Sequence, residues 1–211
     1  MEYLVGYFDV LNMHVDGMND EVGAGIAEAF LKPLHFTASR HPKLRLEVFA
    51  DSLVTGCEPA MVGELLTAVC ELYRTWCTDY ILVKGSVVLG EVDAVSGSFE
   101  KILLEKLQKI KMHRLSGPAV IEAFSLAEAS APGMWCLVSP RIGELIRQQH
   151  PAFLSEMVPA ALNWIDPENI ESYEHLFREM LTRQELYLEK LEPHIHATLR
   201  FFEQCREKRR I

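Results

Sequence analysis

The chain has 211 residues, 49% of them hydrophobic and 24% charged, with a formal net charge of −9. That is the composition of an ordinary globular protein with room for one domain and an appendage, and its acidic balance argues against a general nucleic-acid coat, which needs a basic face. No apolar run approaches the roughly 18–20 residues that cross a bilayer, and the first residues lead into a strand without a signal peptide's basic start or cleavage site. The five cysteines have no paired or zinc-type spacing, which suits reduced, buried thiols in the cytoplasm. We therefore expect no stable nucleic-acid or membrane binding. The single basic cluster, Arg206-Glu207-Lys208-Arg209-Arg210, reads as a solvated helix end.

In chain order, residues 3 to 11 read as a buried strand. Residues 20 to 39 read as a helix that Asn19 or Asp20 can cap, and His41-Pro42 ends it. Residues 44 to 56 alternate, with Leu46, Val48 and Ala50 on one face and Arg45, Glu47 and Phe49 on the other. This predicts two strands joined by a tight hairpin near Ala50-Asp51. Glu58-Pro59 opens a helix to about Cys77, and residues 80 to 92 form a long strand. A polar, then Lys-rich arm covers 93 to 114. Residues 117 to about 130 are helical, and Trp135 to Ser139 is a further strand. The order β-α-β-β-α-β, then α-β, predicts an α+β fold with a ferredoxin-like split βαβ core. From 141 the character changes, and Ile170 to about Glu207 reads as one long helical pattern interrupted by Pro193. The expected division is a core domain over 1–142 and a helical C-terminal extension over 143–211.

Two aspartates stand out. Asp9 lies in Tyr3-Leu4-Val5-Gly6-Tyr7-Phe8-Asp9-Val10-Leu11, and Asp51 follows Leu46-Glu47-Val48-Phe49-Ala50. Each is a lone carboxylate in an apolar, β-prone run, costly to bury without a partner. Brought together they repel unless cations hold them. A pair of Mg²⁺ or Mn²⁺ ions on two strand carboxylates resolves both problems and forms the core of a phosphoryl-transfer site. The eight histidines show no metal-ligand or catalytic spacing, His194 and His196 included, and read as structural or surface residues. P-loop, Gly-x-Ser-x-Gly and Cys-x-x-Cys motifs are absent.

Several pieces, in order, resemble the class III nucleotidyl cyclases, and among them the bacterial antiphage pyrimidine cyclases of the Pycsar system. Phe8-Asp9-Val10 resembles the first metal aspartate with the backbone carbonyl after it. Phe49-Ala50-Asp51-Ser52 resembles the second aspartate at its hairpin. Lys84-Gly85-Ser86-Val87-Val88-Leu89-Gly90-Glu91-Val92 resembles the family's Gly-rich strand. Gly117-Pro118-Ala119-Val120-Ile121-Glu122-Ala123-Phe124-Ser125-Leu126 resembles the helix that in purine cyclases carries an Asn and an Arg, and Val138-Ser139 closes the set. The resemblance covers residues 3 to 142. It implies a cyclase palm core in which Asp9 and Asp51 are catalytic and Asp9, the Val10 carbonyl and Asp51 hold two Mn²⁺ or Mg²⁺ ions. It further implies a nucleoside triphosphate substrate, a homodimer with sites at the interface, and a cyclic-nucleotide-binding effector downstream.

The departures from the pattern are informative. At the family's Asn and Arg positions stand Ile121 and Ser125, and losing one such stabiliser costs a rate factor of roughly 10²–10³. Lys84, Arg114 and Arg141 are the cations that could replace them. The base-reading positions carry Glu47 and Arg114, which together match neither purine pattern. Arg114 can donate to a uracil carbonyl and would oppose the cytosine amino group. This favours a pyrimidine triphosphate, UTP before CTP, with Phe8, Phe49 or Phe124 supplying bulk against a purine. Phe8, Glu47, Lys84 and Arg114 are thus the candidate substrate contacts. The alternative is a catalytically inactive cyclase-like module that senses nucleotides. A palm polymerase or diguanylate cyclase shares the two-metal hairpin, but Phe-Ala-Asp-Ser is not the latter's hairpin.

Overall fold

In a computed structural model, residues 1–11, 20–49, 51–93, 115–155, 161–182 and 188–208 are described. The elements are β1 (Glu2–Val10), α1 (Asp20–Arg40), β2 (Arg45–Phe49), β3 (Ser52–Cys57), α2 (Val62–Thr78), β4 (Val83–Glu91), α3 (Pro118–Glu128), β5 (Cys136–Val138), α4 (Pro140–Gln149), α5 (Ile170–Thr182) and α6 (Leu188–Lys208). The strands form one sheet in the order β2-β3-β1-β4-β5. All neighbours are antiparallel except β4 and β5, which are parallel. The first four strands have the split βαβ arrangement expected from the sequence. The fold class is α+β, with a helical part at the C-terminal side. Residues 94–114 of the polar arm, the Asn19 cap and Ala50 of the hairpin lie outside the described residues.

Alternation along β1 divides the interior in two. Leu4, Phe8 and Val10 point to the face covered by α1, α2, α5 and α6. There Phe8 meets Tyr73 and Trp76, with ring centroids 6.0 and 6.1 Å away. Phe30 of α1 stacks on Trp76 at 5.2 Å, and the Trp76 indole N–H donates to the Phe30 carbonyl. Backbone must come close for a ring as large as Phe8 to fit. A Cβ on Gly85 would sit 2.4 Å from the Phe8 ring, so β4 carries no side chain there. Tyr3, Val5 and Tyr7 point to the other face, where α3 packs through Ala119 and Ala123 in a smaller apolar cluster. These alanines let the helix lie close to the sheet. Gly117, just before α3, has φ +113, a backbone state that favours glycine.

The tail corrects one sequence expectation. The pattern from Ile170 onward is two helices, and Pro193 lies inside the second. They run antiparallel. Phe177 meets Phe202 at 5.3 Å, Arg178 pairs with Glu203, and Arg206 donates to Glu174. Each helix buries its own stripe on a common core, so the hydrophobic period continues through a reversal of chain direction that it cannot report. Nor does the expected boundary at 142/143 coincide with a change of core: α4 runs across it, and Trp164, Phe177, Phe201 and Phe202 join the apolar cluster that holds Leu4 and Phe8. Trp164 lies 5.6 Å from Tyr73, and Arg74 Nε donates to the Trp164 carbonyl at 2.7 Å. Cys57, Cys70, Cys77 and Cys136 are buried and all five thiols are free. Burial pushes Cys57 and Cys70 up to about 12, so they stay protonated. Among the described residues, no helix is long and apolar enough to cross a membrane.

Because the helices and the sheet share this core, Phe202→Ala should cost about 3–5 kcal/mol and destabilise sheet and tail together. Denaturant unfolding followed by tryptophan fluorescence and far-ultraviolet circular dichroism should then give coincident, equally shifted transitions. Separate transitions would show that the tail folds independently.

Candidate active site

On the α3 face, four residues stand in one row across the sheet. Phe49 of β2 is opposite Ser52 of β3, Ser52 is opposite Asp9 of β1, and Asp9 is opposite Lys84 of β4. Directly paired residues share a face, so the row places an aromatic ring, a hydroxyl, a carboxylate and an ammonium side by side. Asp51 is at the hairpin, immediately before Ser52. Its backbone carbonyl accepts from the Val10 amide at 3.1 Å, which fastens the hairpin to the end of β1 beside Asp9.

The Asp9 carboxylate is half-buried. Ser52 Oγ donates to Asp9 Oδ1 at 2.7 Å, and the Tyr7 hydroxyl is 3.1 Å from the same Ser52 oxygen. Asp9 is held above the ordinary carboxylate range, first by burial and then by the negative charge of Asp51, with Glu128 adding to it. The Ser52 hydrogen bond and the Lys84 charge act the other way. Tyr7 is raised to about 12, mainly by burial, so its hydroxyl remains protonated. Lys84 forms an ion pair with Glu128, at the end of α3.

Two neighbouring carboxylates, one raised by the other and by desolvation, are what a cation would relieve. Their hard oxygens suit Mg²⁺ or Mn²⁺, ions commonly held by one or two carboxylates with nucleotide phosphates as further ligands. Among the described residues, no three His, Cys, Asp or Glu side chains gather into a metal-holding group. Asp9 and Asp51 are hard oxygen donors, and in kind they fit these ions.

The other expected site residues are distributed unevenly. Phe8 is fully buried on the opposite face. Alternation puts it one residue and one sheet thickness away from Asp9, so the expectation of a nucleotide contact there is corrected. The Glu47 carboxylate accepts from the Leu115 amide at 2.8 Å through both oxygens, which ties the chain after residue 114 to β2. Arg114 itself lies outside the described residues. Arg141 pairs with Glu2 at 2.6 Å, at the end of β1 away from Asp9, so it is no candidate for a phosphate cation in this arrangement. Ile121 and Ser125 are exposed on α3. Sequence reasoning missed Ser52, Tyr7 and Glu128. The signal for Tyr7 was present in the two-residue period that puts it on the same face as Asp9. That for Ser52 was its place beside Asp51.

No family model matches the chain, and neither does any curated relative. Solved structures do. The guanylyl cyclase Cya2 superposes with a TM-score of 0.58 at 9% identity, over 77% of this chain and 91% of that one. This chain has the cyclase-domain fold. The guanylate cyclase domain of RhGC from Catenaria anguillulae, in complex with GTP, gives a TM-score of 0.56 at 13% identity, over 75% and 89%. The adenylyl cyclase CyaB from P. aeruginosa gives 0.52 at 11%, over 76% and 91%. At such identities the likeness is one of fold, and the cyclase fold carries Asp9 and Asp51 here on its central strand and adjoining hairpin.

The raised Asp9 carboxyl has a consequence for stability. A group whose folded pKa exceeds its unfolded value contributes stability at low pH that is lost as pH rises through the folded pKa. Without metal, the ionised Asp9 therefore weakens the fold at neutral pH. Asp9→Asn keeps an oxygen for Ser52 and removes the charge. It should raise the metal-free melting temperature at pH 7, and the gain should shrink as the pH falls toward about 4, the ordinary carboxylate range. Thermal scans in chelator at both pH values check this; an unchanged or lower value at pH 7 would show that the Asp9 charge is not costly.

Proposed function

We propose that the chain is a nucleotidyl cyclase that converts a pyrimidine nucleoside triphosphate, UTP by preference, to its 3′,5′-cyclic monophosphate and pyrophosphate. The observation that carries this reading is the juxtaposition of Asp9 and Asp51 across a strand and hairpin of a cyclase fold. In the proposed site, Asp9, the Val10 carbonyl and Asp51 hold two Mn²⁺ or Mg²⁺ ions. Such ions, when bound, neutralise the triphosphate and acidify the ribose 3′-hydroxyl. The chain's own residues orient the reactants. Lys84, beside Asp9, offers its ammonium to a phosphate oxygen. In doing so it exchanges its ion pair with the more exposed Glu128 for one with a phosphate oxygen. Glu47 and Arg114 are the proposed base contacts. Glu47 holds the Leu115 amide, which keeps the start of that segment near β2, and Arg114 supplies the donor for a uracil carbonyl.

Ile121 and Phe124 on α3, 67% and 47% exposed, and Phe49 of β2 at 40% are large apolar side chains open to solvent. Their exposure supports a homodimer in which a second copy covers them. The antiphage signalling role and the cyclic-nucleotide-binding effector rest on the resemblance of residues 3 to 142 alone. A second reading, a catalytically inactive nucleotide sensor, is favoured by Ile121 and Ser125, which leave α3 without the amide and guanidinium that purine cyclases use there.

Incubation with each of the four nucleoside triphosphates and Mn²⁺, with products resolved by mass, separates these readings. The expected product is cyclic UMP. A dominant purine cyclic nucleotide would refute the base assignment, and binding without turnover would favour the sensor. Asp9→Ala and Asp51→Ala should each lower turnover by a factor of at least about 10²–10³ with the circular dichroism spectrum unchanged. Full activity in both would remove the two-carboxylate mechanism.

A further inference from the structure

Two hydroxyls, from Ser52 and Tyr7, stand beside Asp9. Ser52 Oγ is 2.7 Å from Asp9 Oδ1 and 3.1 Å from the Tyr7 hydroxyl. An ionised carboxylate only accepts, so the single Ser52 proton goes to Asp9. The Tyr7 hydroxyl is then the donor to Ser52. The direction of the chain is fixed: Tyr7 O–H to Ser52 Oγ, and Ser52 O–H to Asp9. Both hydroxyl-bearing residues are set by the backbone. Ser52 is the direct cross-strand partner of Asp9, and Tyr7, two residues before Asp9 on the same face, lies opposite Val54. The Tyr7 ring is held in turn by the edge of Phe124, with centroids 5.3 Å apart at 80°.

We propose that Ser52 and Tyr7 are positioning residues for the divalent ion, orienting Asp9 through this directed pair of hydroxyls. The proposal rests on the metal reading given above. With Oδ1 engaged by Ser52, turning the carboxylate breaks the Ser52 bond and leaves the Tyr7 hydroxyl pointing at a displaced partner. Oδ2 therefore faces a fixed direction before any ion arrives. Partners that orient a ligating side chain in this way typically contribute about 10–100-fold to metal affinity. If the hydroxyl merely satisfied a half-buried carboxylate, its removal would change the stability of the metal-free protein and leave the ion's affinity where it was.

The test is Mn²⁺ binding to the full chain without nucleotide, read from the free-ion electron paramagnetic resonance signal, with the melting temperature in chelator measured alongside. Ser52→Ala should weaken Mn²⁺ binding by about 10–100-fold. Tyr7→Phe, which keeps the ring against Phe124, should weaken it by a smaller factor. Ser52→Thr, which keeps the hydroxyl, should bind Mn²⁺ close to the wild-type level. Wild-type affinity in Ser52→Ala and Tyr7→Phe, together with lost binding in Asp9→Asn, overturns the relay and leaves the metal reading standing. A Ser52→Thr variant that is folded yet as weak as Ser52→Ala also overturns it, because shape and not the hydroxyl would then matter. Wild-type protein that does not bind Mn²⁺ at all overturns the metal reading and the relay with it.

Discussion

The structure depends on the simplest property of a β-strand: successive side chains leave on opposite faces. In β1 this separates Phe8 from Asp9 by one peptide. Phe8 enters the large core against Tyr73 and Trp76, and Asp9 stands on the α3 face among Ser52, Asp51 and Lys84. The ring anchors the strand and the carboxylate is carried by it. A slip of one residue in register would exchange them, leaving a charge in the core and an aromatic ring at the site. Gly6 and Gly85, against which the Phe8 ring packs, and the ladders on both sides of β1 oppose that exchange.

Around the strand, the two faces are built differently. The Phe8 face is thick: α1 and α2 supply Phe30 and Trp76, and the C-terminal helices add Phe177 and Phe202. The Asp9 face has a smaller apolar cluster, in which α3 packs through alanines. The C-terminal helices also reach around the edge. His194 accepts from the Gly133 amide at 3.1 Å, and Thr198 accepts from Met134. The next residue, Trp135, gives its carbonyl to the Gly85 amide and the Tyr73 hydroxyl. A short series of hydrogen bonds thus runs from α6 through the turn before β5 to the β4 residue next to Lys84.

Much of this was legible in the sequence because it is encoded by local period and punctuation. The alternation at 44 to 56 marked the hairpin, and the lone carboxylates at 9 and 51 were visible as polar exceptions in apolar strands. What was not legible depends on pairing between distant segments. Opposing Ser52 to Asp9 requires the register of β1 on β3, and bringing Glu128 to Lys84 requires α3 to lie along β4. Phe8 was misjudged for a related reason. Bulk is visible in a sequence but the face it occupies is not, and adjacent residues of a strand are on opposite sides of the sheet. The reversal between α5 and α6 was hidden because both helices bury the same kind of stripe.

The Val10 amide, bonded to the Asp51 carbonyl, connects the two carboxylates through the main chain. One end is the central strand of the sheet and the other is a hairpin tip, which in isolation would open freely. An amide locked in this way exchanges its proton only when the strand pair itself opens. Its exchange lifetime is therefore a clock for the integrity of the site, readable in the protein with no nucleotide present. The distance between Asp9 and Asp51 is then governed by the opening free energy of the sheet and not by the wandering of a loop.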